Sequence, residues 1–314
     1  MRVRSRGIGL LITGAALAVT ITACGSSSAA APAASSSASS SASSVLGSAA
    51  PYFKDLPASI QKAGVLNVGT SVAFPPYDFN PAGSNTVIGF EPDLDKAMAK
   101  LLGVKLNLDV VGFPELIPGV QDKRFEVAVD GISDSKAREK VVNFVDYGSA
   151  GIVMLVPTAK AAGVTSLLNI CGHTLAYATG TFGQQTANII TKLCAKAHKP
   201  APTKSAFPDA PSIQLALESG RISYEIEDTA TGGYDAKASK GRITAIPVPA
   251  AEATGDFASG LFGVVVPKDQ PQLAKAIQDA LTTMLKNGTY ASILNKWGVS
   301  QLAVKKITFD TPSF

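Results

Sequence analysis

The sequence predicts an α/β fold organised as two lobes, on three observations. Short β-rich runs alternate with helical patterns along residues 52–314, which points to βαβ units and parallel sheet. The alternation comes in two series, separated by apolar extended runs at 151–156 and 261–266, each followed by a proline (Pro157, Pro267), so that the chain crosses between lobes twice. At 314 residues, 46% of them apolar and 17% charged, the chain can build one large domain or two medium ones and is too long for a small stapled peptide.

In the first series the expected strands are 65–70, 105–111 and 127–132, and the helices 94–102, 113–122 and 136–142. The second series predicts strands at 174–178 and 223–227, with helices at 184–197, at 211–219 and from Thr229. After the second crossing, 270–287 and 289–297 read as helices that return to the first lobe, with Trp297 packing in the last of them. No internal repeat is present. Ligands of open α/β sheets bind outside the carboxyl ends of the strands, so the strand-to-helix turns are where chemistry is sought. The turn Ser71 to Tyr77 offers aromatic surface, including Phe74, on a stiff Pro75-Pro76 backbone. Phe113 opens the next turn, Gly131 to Arg138 follows the third strand with Ser135 as helix N-cap, Gly180-Thr181 opens a helix, and Asp228 ends the run 223–227.

The amino-terminal end has a different character. Residues 1–50 contain no Asp or Glu and account for the positive mean hydropathy; without Arg2, Arg4 and Arg6 the rest of the chain carries 25 Lys and Arg against 24 Asp and Glu. That balance argues against a nucleic-acid binder, which needs a basic face. The three arginines, the 16 uncharged residues 7–22 and the small residues before Cys24 read as a secretory signal, the stretch being shorter than the roughly 20 residues of a spanning helix; an uncleaved anchor is the alternative. Ile21-Thr22-Ala23-Cys24 resembles the lipobox of bacterial lipoproteins, and the resemblance implies that residues 1–23 are removed and that Cys24 is acylated, holding the protein on the membrane. Of residues 25–50, 21 of 26 are Ser or Ala, so 24–51 is expected to be a disordered tether reaching on the order of 30 Å. With Cys24 committed to lipid, Cys171 and Cys194 are an even pair in an exported chain and predict a disulfide, worth roughly 3 kcal/mol by loop-closure entropy. His173 and His198 lie near them without zinc-ligand spacing and read as surface residues, and Glu91, Asp93 and Asp95 read as a surface cluster at a helix start; neither a metal nor a cofactor is expected.

Gly89-Phe90-Glu91-Pro92-Asp93-Leu94-Asp95 is similar to the signature of the family 3 extracellular solute-binding proteins of amino-acid ABC transporters, which have the type II periplasmic-binding-protein fold. Pro92 departs from the signature but suits a helix first turn. Phe74-Pro75-Pro76, the segment 132–144, Gly220-Arg221-Ile222 with Asp228 beyond it, Asn287-Gly288-Thr289-Tyr290 and Lys296-Trp297-Gly298 extend the resemblance, in order, over about 52–300. Cys171-Gly172, Cys194 and Phe207-Pro208-Asp209 look like the actinobacterial branch.

The resemblance implies lobe 1 at 52–151 and 258–314, lobe 2 at 152–257, and hinge closure on a polar L-amino acid that is passed to an ABC permease by a monomeric capture protein. In that reading Arg138 takes the α-carboxylate through a bidentate fork, helped by Gly180, Thr181 and the helix they open. Asp228, the Gly131 carbonyl and Ser133 take the ammonium, and Phe74 and Phe113 form apolar walls; a helix-capping role is the alternative for Asp228. Relatives that bind cationic side chains often carry Asp where this chain has Ser71, and Asp130, Glu227 and Phe182 are the other candidates for specificity. A basic ligand follows if Asp130 and Glu227 face the pocket. The rival readings are an exported dehydratase using Asp130 or Glu227 as acid or base, and a sensory module serving a separate receptor.

Overall fold

The computed structural model describes residues 47–313; the candidate signal, Cys24 and most of the Ser/Ala tract lie outside the described residues. Helix α1 (Ala58–Ala63) leads through Gly64 into β1 (Val65–Thr70), and a small hairpin, β2 (Ala73–Phe74) and β3 (Asp78–Phe79), follows. The crossover helix α2 (Phe90–Leu102) then returns the chain to β4 (Lys105–Val110), which lies parallel to β1 with Val65 opposite Lys105. Gly89 precedes α2 at φ 144°, where a Cβ would stand 1.9 Å from the Tyr77 carbonyl oxygen, so only glycine lets the helix start this close to the hairpin. Pro92 sits in the first turn, where no intrahelical N–H bond is lost.

Helix α2 corrects the acidic-cluster expectation. Glu91 and Asp95 are 1% and 2% exposed, and only Asp93 keeps contact with solvent, pairing with Lys296 and Lys96. Helical geometry explains the split: positions 91, 94, 95, 98 and 102 share the core face, whereas 93 does not.

After α3 (Leu116–Gln121), β5 is only Val127–Ala128, shorter than the expected 127–132, because the chain turns out of the sheet at Asp130 and at Gly131 (φ 55°). The helix expected at 136–142 is one turn, α4 (Lys136–Glu139), and Val142 begins a nine-residue strand, β6 (Val142–Ala150). Gly151 alone separates β6 from β7 (Ile152–Pro157), which belongs to a second sheet. That sheet is completed by β8 (Thr174–Ala178), α5 (Phe182–Lys196), β9 (Thr203–Phe207), α6 (Ala210–Glu218), β10 (Tyr224–Asp228), α7 (Thr229–Ala238) and β11 (Ile243–Pro247). The chain returns through 248–259 to β12 (Gly260–Pro267), antiparallel to β6 with Gly260 opposite Ala150. Helices α8 (Pro271–Lys286) and α9 (Thr289–Trp297) and the edge strand β13 (Ala303–Phe309) close the first lobe.

The sheet orders are β13-β6-β12-β5-β1-β4 and β11-β7-β10-β8-β9, giving the two lobes, which the chain crosses between at Gly151 and through 248–259. The runs expected as crossings are β7 and β12, each starting at a crossing. Cys171 and Cys194 form the expected disulfide, tying the segment before β8 to α5 across a Cα–Cα distance of 5.6 Å. His173 and His198 are exposed.

Candidate functional site

The carboxyl ends of β1, β4 and β5 in one lobe and of β8 and β10 in the other face a common cavity. From the first lobe it is lined by Phe74, Tyr77, Phe113, Asp130, Gly131 and Ser133, and from the second by Thr181, Phe182, Glu227 and Asp228. The crossing segments supply the back wall through Ala150, Gly151 and Ile152 on one side and Ala258, Gly260 and Phe262 on the other. Phe74 and Phe113 meet edge to face at 5.3 Å between centroids, forming one apolar wall. Tyr77, tilted against Phe90 (4.8 Å) and edge to face with Phe262 (5.4 Å), forms another. Gly131 is held so close to the Tyr77 ring that a Cβ would lie 3.0 Å from it.

Every charged residue lining this cavity is acidic: Asp130, Glu227 and Asp228. Asp228 takes the helix-capping role weighed for it and lines the cavity as well. One carboxylate oxygen caps α7, accepting N–H bonds from Ala230 (2.7 Å) and Thr231 (3.2 Å), and the same oxygen accepts the Tyr77 hydroxyl across the cleft at 3.1 Å. Burial raises Asp228 above the usual carboxylate range against those N–H bonds. Glu227 accepts the Asp228 N–H at 2.9 Å, and burial, reinforced by the neighbouring Asp228 charge, drives it well up.

Asp130 belongs to a carboxyl stack that continues into the first lobe. It accepts the Ser71 N–H at 2.7 Å, and ligand oxygens of Asp130, Asp78 and Glu91 all lie within 4.8 Å of one another. Thr70 donates to Asp78, while Tyr147 and the Gly131 N–H (2.8 Å) donate to Glu91. Burial pushes Asp130 up to about 6 despite hydrogen bonds from Ser71 and Asp78; Asp78 and Glu91 are raised well above their ordinary values by burial and by the Asp130 charge. Carboxyls this close, without a basic side chain among them, hold protons more readily than isolated ones.

Three expected residues, Ser71, Arg138 and Gly180, stand elsewhere. Ser71 is buried beside Asp130 and does not line the cavity. Arg138 lies behind Phe113, its guanidinium carbon 6.0 Å from that ring centroid, and donates to the carbonyls of Ser133 (2.8 Å) and Gly180 (2.9 Å). It thereby bridges the lobes and, with Gly180, lines a second depression that shares Phe113 with the cavity. Burial lowers its guanidinium to about 10. Thr181 and Phe182, at the start of α5, place that helix's positive N-terminal end at the cavity wall.

Tyr77 and Phe262 were missed as site residues. Tyr77 ends the aromatic Pro-Pro turn, which was a usable signal; Phe262 sits in an apolar strand and gives none.

A two-lobed α/β body with a cleft at its strand ends, aromatic walls and an acid-only charge lining defines a class, that of small-molecule capture proteins. The sequence matches bacterial extracellular solute-binding proteins, family 3, over residues 66–300, and the chain belongs to that family. Among its relatives is the arginine-binding protein ArgT of Corynebacterium glutamicum, 26% identical over 248 residues, which are 78% of each chain. An ancestral arginine-binding protein solved with arginine superposes with a TM-score of 0.66 at 28% identity, covering 74% of this chain and 98% of that one. The ancestral amino acid-binding protein AncCDT-1, a precursor of cyclohexadienyl dehydratase, gives 0.67 at 27% identity, over 76% and 97%. The protein is therefore an extracytoplasmic solute-binding component of amino-acid import.

Proposed function

We propose that the ligand is an α-amino acid with a cationic side chain, arginine or lysine in type. The observation that carries this reading is the charge of the cavity wall, where Asp130, Glu227 and Asp228 are met by no lining Lys or Arg. Enclosing those acids against a neutral ligand would leave their desolvation uncompensated, whereas a cation offsets it. The arginine-binding relatives support the same assignment. In this account Asp228, with the Gly131 carbonyl and Ser133, holds the α-ammonium; Phe74, Phe113 and Tyr77 sandwich the aliphatic part; and Glu227, with Asp130 behind, faces the side-chain cation. Thr181 and the N-terminus of α5 receive the carboxylate, and Arg138 joins them by exchanging its hold on the Gly180 carbonyl for the ligand. Ser71 and Phe182 shape the specificity end from beside these groups.

The reading extends to lobe 1 at 52–151 and 258–314 and lobe 2 at 152–257, to binding rather than turnover, and to delivery by a monomer to an ABC permease. It also places the protein on the outer face of the membrane through a lipid on Cys24, following a cleaved signal; among the described residues no helix is long and apolar enough to cross a membrane. Mass spectrometry of small molecules released by denaturing the protein purified from its native host should find a basic amino acid at near-stoichiometric amounts. Release of a glutamine-like or acidic amino acid instead would overturn the assignment.

A further inference from the structure

Away from the cavity and from the Arg138 bridge, the lobes also meet at an aromatic point. Phe79, in β3 of the first lobe, has its ring 5.6 Å from that of Tyr234, on α7 of the second lobe. Phe79 is itself backed edge to face by Trp297 at 6.1 Å. None of the three lines the cavity. The first-lobe half is rigidly mounted: Phe79 exchanges backbone hydrogen bonds with Ile88 (2.8 and 2.9 Å), and the Trp297 indole N–H donates to Asp93 at 2.9 Å, a carboxylate also gripped by Lys296 at 2.6 Å. The second-lobe half rides on the helix that Asp228 caps, so the residue proposed to hold the ligand ammonium and the ring that meets Phe79 move as one piece.

We infer that Phe79 and Tyr234 form an aromatic clasp that stabilises the closed lobes and sets how long a ligand is retained, without taking part in choosing it. Parting the lobes would separate the two rings and wet both, whereas closing them restores a tilted ring contact worth a few-fold in equilibrium. Because the clasp touches no ligand atom, its contribution falls on the closed state alone and is felt as a slower dissociation rate. Trp297 is the only tryptophan in the chain and packs on Phe79, so its emission is a probe placed beside the clasp.

The inference rests on the amino-acid reading for its kinetic test and on the lobe contact for its structural one. Stopped-flow tryptophan fluorescence of the full chain with L-arginine should show an emission change on binding. Tyr234→Ala should speed dissociation about threefold to tenfold, while Tyr234→Phe, which keeps the ring, should restore the original rate. A Tyr234→Ala protein that melts normally and releases arginine within twofold of the original rate would overturn the clasp. If the unmodified protein answers to none of the twenty amino acids, the ligand reading fails alone. The clasp is then decided by small-angle scattering without ligand, where Tyr234→Ala should increase the radius of gyration and an unchanged radius would overturn it.

Discussion

The acids nearest the cleft are treated differently by the two lobes. In the first, Asp130, Asp78 and Glu91 are each met by a donor of their own lobe: the Ser71 N–H, the Thr70 hydroxyl, and the Gly131 N–H with the Tyr147 hydroxyl. In the second, Asp228 is held by the helix it caps and by the Tyr77 hydroxyl across the cleft, while Glu227 accepts the N–H of the adjacent residue; among the described residues, unpartnered oxygens remain in both lobes, one each on Asp130, Asp78 and Glu91 and both on the fully buried Glu225. The first set braces the turn carrying Asp130, Gly131 and Ser133; in the second, the cavity-lining Glu227 braces no such turn and accepts a backbone N–H from its own neighbour. Affinity for a cation should accordingly depend more on the second lobe than on the first, although both present carboxyls to the same cavity.

Asp228→Ala tests that asymmetry with the largest expected effect. Losing a buried charge partner typically costs 3 to 5 kcal/mol, so arginine binding measured by calorimetry should weaken by at least about a hundredfold. The lost helix cap should also lower the melting temperature, by the equivalent of about 1 kcal/mol. Glu227→Gln comes next and should weaken arginine about tenfold while leaving a neutral amino acid nearly unaffected. Asp130→Asn should cost less, about threefold, because that carboxyl is already engaged by Ser71 and Asp78. Equal losses for the two variants would erase the distinction between the lobes.

The smallest effect concerns stability against pH. Burial pushes Asp95 and Asp134 up to about 8, Asp235 to about 7, and Asp146 to about 6, all above their unfolded values. The folded chain therefore binds more protons than the unfolded one. The stability these groups contribute is complete below about pH 4 and is lost as pH rises through 6 to 8. The melting temperature of the unliganded protein should fall between pH 5 and pH 8, and Asp95→Asn, which stays neutral, should flatten the fall. A variant with the original slope would show that Asp95 does not carry its share.

Helices such as α8 and α9 were legible because one apolar face repeats at helical spacing against a polar one. Strand β6 was not, since Val142, Phe144, Val145 and Tyr147 are buried together with the residues between them, leaving no alternation to read in a strand covered on both faces. The edge strands β9 and β13 carry polar, exposed residues and gave too weak a pattern. At the site, the turns holding Phe74, Phe113, Asp130 and Asp228 could be found because strand ends are chemically marked. What joins them could not: the Tyr77 hydroxyl on Asp228 and the Glu91 carboxylate on Gly131 span 151 and 40 residues. Arg138 shows the limit most plainly, because its spacing after Gly131 placed it near the ligand while only tertiary structure shows two carbonyls occupying it.

The central claim, that a cation completes an acid-lined cleft, is tested most directly by titrating the full-length protein, freed of bound ligand, with L-arginine, L-lysine, L-glutamine and L-glutamate in a calorimeter at pH 7.5. The account predicts that arginine or lysine binds with the lowest Kd, at least about tenfold below glutamine, a difference of about 1.4 kcal/mol or more, with glutamate weakest. Glutamine or glutamate binding as tightly as the basic amino acids would contradict it.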